Sequence, residues 1–224
     1  MEVLGVSYNW SEASLSAWET WSSKLGAQFT PLITNPEWSK DPAYVGNDHY
    51  EFGAYAAAEH RARTNGPYIL VNDTLLIRHA KYVWQRILKS VIIKKGQILV
   101  DSFPAPHERP KEIPSPYASS WIFVIADFND LVLFCSLVKR VISEPLEPST
   151  PEYTAFLNRW LHSSIPWKGY QGKSSNHDLQ RKLKTIQWEH KLSVELHEHQ
   201  VFMSFWGWRY ELVRYLDRIL RRFY

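Results

Sequence analysis

Short apolar runs alternate with amphipathic stretches over the first ninety residues. Three apolar runs have the length and composition of buried strands, at residues 2–8, 27–35 and 67–71. Each is followed by a stretch with apolar residues at helical spacing, at residues 11–26, 51–66 and 75–92. Ser11 predicts a helix N-cap and Gly26 a helix end. This β-α-β-α-β-α order predicts a parallel sheet with helices on its faces.

The second half of the chain is richer in helical patterns and in proline. Strands are predicted at 96–102 and 118–126, and helices at 128–142, about 151–162, about 178–199 and about 208–223. The segment 103–117 contains five prolines and predicts irregular structure. We therefore predict an α/β fold with a Rossmann-type, mostly parallel sheet. Residues 1–145 form its core, and residues 146–224 form a helical C-terminal part of the same single domain.

Composition narrows the functional classes. Of 224 residues one is cysteine, Cys135, which rules out an intramolecular disulfide and favours a reducing compartment. The first ten residues lack the features of a secretory signal, and no apolar run is long enough to span a bilayer, so we expect a cytoplasmic or peripheral membrane protein. A net charge of +3 is too small to indicate a nucleic-acid partner. The 11 Trp residues suit carbohydrate sites and membrane interfaces as well as a core.

Polar residues follow the predicted strands at the edge where open α/β sheets bind ligands. Asn9 follows the first strand, Asn47 and Glu51 follow the second through a long loop, and Asn72 and Asp73 follow the third. The predicted helix near Glu51 also points backbone N–H groups at this edge, which favours an anion. Together these residues indicate a nucleotide diphosphate with a divalent cation, which a carboxylate would hold.

Each of these residues also has a purely structural interpretation. Asn72 and Asp73 are good helix N-caps. Glu51 in a first helical turn complements the helix dipole. Asn9 could be a solvated loop residue. The interpretations are compatible for Asp73, because a cap at this edge already faces the ligand.

Five segments in order carry a family resemblance: VLGVSYNWSEA, NDHYEFGAY, YILVNDTLLIRH, ASSWIFVI and WEHKLSVEL. Over about residues 2–197 the chain resembles the rhamnan-synthesis type of bacterial glycosyltransferase, which has a GT-A fold. In that family an Asn-Asp-Ser/Thr turn stands where other GT-A enzymes carry Asp-x-Asp. Here the turn is NDT, with one carboxylate, and the glycine of the loop motif is replaced by Tyr50 or displaced to Gly53.

The resemblance implies transfer of a sugar from a nucleotide-activated donor to a hydroxyl of a glycan or lipid-linked glycan, in the synthesis of cell-surface polysaccharide. Asp73 with Asn72 would engage the donor diphosphate, directly or through Mg²⁺ or Mn²⁺. Glu189 would be the acceptor-side carboxylate, a base or a hydroxyl anchor. Asp101, at the end of QILVD, is a rival for that role.

Asn9, Asn47 and Glu51 would frame the donor. Rings of the proline-rich loop, such as Phe103 and Tyr117, would stack on sugar rings.

Two other functions compete with this interpretation. The single carboxylate of the NDT turn suits a non-catalytic GT-A-like module that binds a glycan or a protein. The helix containing Glu189 also carries His190 and His197, which suggests a metal-dependent hydrolase. Their seven-residue spacing differs from His-Glu-x-x-His and covers two helical turns, so a charged helix face is the simpler interpretation.

The last segment, FWGWRYELVRYLDRILRRFY, has a basic amphipathic pattern with aromatic residues at its start. A helix of this kind suits an anionic membrane surface. A C-terminal helix packed on the domain is the alternative.

Overall fold

The computed structural model describes residues 1–8, 10–46, 48–79, 81–103, 110–146, 150–161, 176–205, 215–216 and 219. The strands of these residues are β1 Glu2–Ser7, β2 Gln28–Ile33, β3 Tyr68–Asn72, β4 Ile98–Phe103, β5 Tyr117–Ile125 and β6 Phe202–Ser204. They form one sheet in the order β2-β1-β3-β5-β4-β6. The helices are α1 Glu12–Leu25, α2 Tyr50–Ala57, α3 Thr74–Arg78, α4 Lys81–Ser90, α5 Phe128–Ser143, α6 Pro151–Leu161 and α7 Asn176–Glu198.

Most of the sheet is parallel, as the sequence predicts. β1 pairs in parallel with β2 and β3, and β4 pairs in parallel with β6. β5 lies between β3 and β4 and runs antiparallel to both. Its direction brings the start of β5 to the carboxyl end of β3, since Val71 pairs with Ile122 and the chain before Ile122 continues past that end.

Helices cover both faces of the sheet, because the strand side chains alternate between two apolar clusters. On one face, Leu4, Leu70 and Phe123 pack in a first core cluster with α2, α5 and α7. On the other, Val3 and Ile69 pack in a second core cluster with α1 and α4. A third, smaller cluster joins α6 to α7 and is formed by Ile113, Tyr153, Leu157, Leu161 and Ile186.

The ends of α1 follow the predicted chemistry. The Ser11 side chain accepts a hydrogen bond from the Ser14 N–H, and the Ser14 hydroxyl accepts one from the Ser11 N–H, which forms a reciprocal capping box. Gly26 ends the helix with φ of 70°, a left-handed conformation that glycine adopts without steric cost.

Two predicted helices differ from the structure, and one strand was not predicted. The helix predicted over 51–66 is regular only over α2, then tightens into one 3-10 turn at Ala58–His60. The helix predicted over 75–92 is divided into α3 and α4, with His79 in an extended conformation. The sequence pattern missed β6, a three-residue edge strand.

Helix α7 packs on the sheet through contacts with β5, and on helix α5. Of the predicted helix 208–223, the structure describes only Tyr215, Leu216 and Ile219, so its membrane interpretation lies outside the described residues. Across the described part of the chain, no helix combines the length and the apolar character needed to cross a membrane.

Candidate functional site

Two carboxylates from different helices approach one serine hydroxyl at the start of β5. Glu189 of α7 accepts hydrogen bonds on Oε1 from the Ser120 backbone N–H at 3.0 Å and from the Ser120 hydroxyl at 2.6 Å. Glu51 Oε1 of α2 lies 3.3 Å from the same hydroxyl oxygen. A hydroxyl has one proton to donate, and the shorter distance assigns it to Glu189. The structure thus brings together Glu51 and Glu189, which are far apart in sequence.

The indole ring of Trp188 fixes α7 against the beginning of α2. Its centroid lies 5.7 Å from the His49 ring, 6.3 Å from the Tyr50 ring and 5.6 Å from the Phe52 ring. Trp188 is buried, so this contact contributes apolar burial as well as ring–ring attraction. Because Glu189 follows Trp188 directly, this packing places its carboxylate beside Glu51.

Tyr50, the residue before Glu51, has φ of 53°. This left-handed conformation costs an L-residue with a Cβ roughly 1–2 kcal/mol, and it costs glycine almost nothing. The family resemblance expects a glycine at this position or, displaced, at Gly53. The Tyr50 ring makes the contact with Trp188.

Tyr55 connects the serine to the end of β3. Its hydroxyl donates to the Ser120 carbonyl at 2.5 Å and also hydrogen bonds to the Asn72 side chain. Burial raises the pKa of Tyr55 well above its ordinary value, and the negative charges of Glu51, Asp73 and Glu189 raise it further. The hydroxyl therefore stays protonated and donates to the Ser120 carbonyl, within range of the charges of Glu51, Asp73 and Glu189.

Asp73 is turned toward β1 and does not cap α3. It occupies the N-cap position, but its side chain makes no capping hydrogen bond there. Asp73 Oδ2 instead accepts from the backbone N–H of Tyr8 at 3.2 Å. The Asn72 side chain accepts from the Thr74 N–H at 3.1 Å and so satisfies the helix start. Asn72 thus contacts the helix start from one residue before the N-cap position, and the Asp73 carboxylate lies at the carboxyl ends of β1 and β3.

Asp101 lies apart from this group. It is buried, and its Oδ2 accepts from the Trp121 indole N–H at 2.6 Å. Trp121 belongs to the second core cluster, on the face of the sheet opposite Glu189. The structure therefore separates the two rivals for the acceptor-side role and places Glu189 with the other predicted carboxylates.

The aromatic residues predicted to stack on sugars are not brought to the site by the described contacts. Tyr117 packs against the third core cluster, with its ring 5.0 Å from the His190 ring in an edge-to-face arrangement. The Phe103 side chain and residues 104–109 lie outside the described part of the structure, as do Asn9 and Asn47.

Two histidines of α7, His190 and His197, make structural contacts. Buried His190 shares a 2.6 Å hydrogen bond with the Tyr153 hydroxyl through Nδ1. His197 Nε2 lies 2.9 Å from the Pro116 carbonyl oxygen, and its ring stacks on Phe202. Within the described ranges, no three His, Cys, Asp or Glu side chains converge closely enough to hold a metal ion.

Two cavities lie outside the group formed by Glu51, Asp73 and Glu189. One of 450 Å³ lies beside β2 and is lined by residues that include Thr30, Asp41 and Arg63. One of 280 Å³ lies between α5, α6 and α7 and is lined by residues that include Tyr153, His190 and Glu195. We assign the candidate site to the group of Glu51, Asp73 and Glu189 because two of these carboxylates converge on one hydroxyl, and none of the three lines either cavity.

The sequence interpretation missed Ser120 and Tyr55. The signal for Ser120 was a polar residue of β5 on the face that meets the helical layer, as Glu189 of α7 shows. Tyr55 carried no signal, since an aromatic residue at helical spacing indicates core. A scan against protein-family models, a search of curated proteins and a search of solved structures each found no match for this chain.

Proposed function

We propose that this chain is a GT-A-type glycosyltransferase that moves a sugar from a nucleotide-activated donor to a hydroxyl of a glycan or lipid-linked glycan. One observation carries the proposal: Glu51 of α2 and Glu189 of α7 approach the same Ser120 hydroxyl, and both act with Asp73, at the end of β3, to raise the pKa of Tyr55. The mostly parallel sheet supports it as well, because ligands of such sheets bind at the carboxyl ends of the strands. We assign the protein to the cytoplasmic side of a membrane, where lipid-linked acceptors are found.

Glu189 is the general base in this proposal. The acceptor oxygen forms a bond to the anomeric carbon, the bond from that carbon to the diphosphate breaks, and the diphosphate leaves with the electron pair. Glu189 takes the acceptor proton. Its Oε1 is held by both donors of Ser120, so the carboxylate keeps one orientation as the acceptor binds. Glu51 and Asn72 would contact the nucleotide-sugar donor on the other side of this site.

Asp73 engages the donor near the diphosphate. A carboxylate and a diphosphate repel each other, so contact between them requires a cation in between. The described residues offer Asp73 and no three-ligand group, hence Mg²⁺ or Mn²⁺ would take most of its ligands from donor phosphates and water. Donor hydroxyls are the other hydrogen-bond partners that Asp73 could accept from.

Thermal unfolding with a panel of nucleoside diphosphates and nucleotide sugars, with and without Mn²⁺, tests the proposal. We expect one nucleotide class to raise Tm in the wild type, and Asp73→Ala to lose that shift. Glu19→Ala, which removes an exposed carboxylate from α1, is the matched control and should keep it. Failure of every nucleotide to stabilise the wild type would contradict the proposal.

A non-catalytic module of the same fold is the second candidate, because the NDT turn supplies one carboxylate where two are usual. Release of nucleotide from a stabilising donor separates the two functions. A transferase releases it slowly in water and faster with an acceptor, whereas a binding module leaves the donor intact.

A further inference from the structure

The segment from α3 to the beginning of β4 concentrates positive charge. Six of the 26 basic side chains and none of the 23 acidic ones lie in residues 74–100, so the remaining chain has 20 basic against 23 acidic residues. Five of these cations are exposed: Lys81, Arg86, Lys89, Lys94 and Lys95. The modest net charge of the chain thus conceals a strongly cationic surface on an otherwise slightly acidic protein.

Helix α4 presents this charge on one face. Its other face is buried in the second core cluster through Trp84 and Leu88. Tyr82, Arg86 and Lys89 are spaced by four and three residues, which aligns them along the exposed side. The Arg86 guanidinium carbon lies 5.1 Å from the centre of the Tyr82 ring. An aromatic ring and two cations therefore form one continuous stripe.

Exposed apolar side chains accompany the cations. Ile77 on α3 is 64% exposed, Tyr82 is 60% exposed, and Ile92, just after α4, is 93% exposed. Lys95 pairs with Asp127 at 3.1 Å, while Lys81, Arg86, Lys89 and Lys94 point to solvent. Large aliphatic residues exposed beside unbalanced cations mark an interaction surface.

We propose that the exposed face of α4, with Ile77 and the 92–95 segment, docks on an anionic phospholipid bilayer. Cations attract the anionic headgroups, while Tyr82 and the isoleucines enter the interfacial region. A nucleic acid would match the cations but offers no apolar region to Ile77 and Ile92. Since α3 follows Asp73 directly, docking would hold the carboxyl end of β3 near the membrane. This inference stands independently of the proposed catalytic function.

Vesicle sedimentation with the full chain tests it. We expect binding to vesicles of phosphatidylcholine with phosphatidylglycerol, weak binding to pure phosphatidylcholine, and release at high salt. Each cation near an anionic surface contributes roughly fivefold in affinity, so Arg86→Glu with Lys89→Glu should lower partitioning by tenfold or more. Ile92→Ser should lower it at constant charge. All three side chains are exposed, so the variants should fold like the wild type, as circular dichroism can check.

The matched control reverses the charge of two exposed lysines outside the proposed surface, Lys24→Glu with Lys40→Glu. It should change partitioning by less than about threefold. Equal loss in both double variants would show a general charge effect and overturn the proposal. Full binding by the α4 variant would place the membrane contact elsewhere, such as the C-terminal basic segment, and would overturn it too. Failure to bind anionic vesicles, or preferential binding of duplex DNA lost in the same α4 variant, would also contradict it.

Discussion

Glu189 and Ser120 are joined by two hydrogen bonds to one carboxylate oxygen, from the serine N–H at 3.0 Å and from its hydroxyl at 2.6 Å. The pair links the helical C-terminal part to the sheet at the edge where β3 ends. It gives the carboxylate a fixed position that neither residue could provide alone. A change that removes one of these two hydrogen bonds should therefore affect both the stability of the fold and the position of the carboxylate.

Ser120→Ala removes the hydroxyl and leaves the backbone N–H. Glu189 then keeps the Ser120 N–H and Glu51 loses its contact with the serine hydroxyl, so we expect about tenfold slower nucleotide release with unchanged nucleotide affinity. The free energy of unfolding should fall by roughly 1–3 kcal/mol, since polar groups at this site lose a partner. Kinetics and urea unfolding measure both. Ser16→Ala, at an exposed position of α1, should leave both quantities near wild type. A selective loss of nucleotide affinity would instead place Ser120 on the donor.

Asp73→Ala and Asp73→Asn separate charge from hydrogen bonding. Asparagine keeps an oxygen that can accept from the Tyr8 N–H, so we expect its stability to stay near wild type, while alanine loses about 1 kcal/mol. Both should lose nucleotide-dependent stabilisation, because the donor site needs the negative charge. Urea unfolding and thermal shift with the stabilising nucleotide provide the readouts. Full donor binding by Asp73→Asn would show that only the hydrogen bond matters.

His190 makes folding pH-dependent. Burial lowers the pKa of His190 to about 4 in the folded protein, whereas an unfolded histidine titrates near 6.5. Between these values the unfolded chain binds the extra proton, so stability is fully present above about pH 6.5 and falls as the pH drops toward 4. His190 alone should account for about 3 kcal/mol of loss between pH 7 and pH 4.

Urea unfolding across this pH range measures the effect. His190→Gln, which keeps a polar partner for the Tyr153 hydroxyl, should flatten the pH profile by that amount. His60→Gln is the control, since the His60 side chain is 72% exposed. An unchanged slope in His190→Gln would mean that other groups set the acid sensitivity.

The sequence predicted the fold where hydrophobic periodicity was the dominant signal. Apolar runs of strand length with helical patterns between them predicted β1 to β3 and their parallel arrangement. The break at His79 was not predictable from periodicity, because Leu75, Leu76, Val83 and Trp84 continue a helical pattern across it. Its cause is tertiary: the His79 ring stacks on Trp121 at 4.0 Å, on a strand far along the chain.

The candidate site was predictable only in part. Position after a strand identified Asn72 and Asp73, and Glu51 followed from the loop before α2. Glu189 came from family resemblance alone, since an acidic residue on a charged helix normally indicates a solvated face. Ser120 and Tyr55 required the fold, because their importance lies in partners 65 and 69 residues away.

Glu189→Gln tests the base directly. Glutamine retains an oxygen that can accept from both donors of Ser120, so we expect unchanged Tm and unchanged nucleotide affinity. It cannot take a proton, and transfer should fall by roughly 10²–10⁴-fold, measured as nucleotide release in the presence of acceptor glycans. Asp101→Asn, on the other face of the sheet, should retain transfer. The reverse result would move the base role to Asp101.

A structure determined with the nucleoside diphosphate that most raises Tm tests the account most directly. We predict that its phosphates lie at the carboxyl ends of β1 and β3, beside Asp73, with the donor sugar facing Glu51 and Glu189. A nucleotide bound in the cavity beside Thr30 and Arg63, or in the one beside Tyr153 and His190, would contradict the assignment of the site.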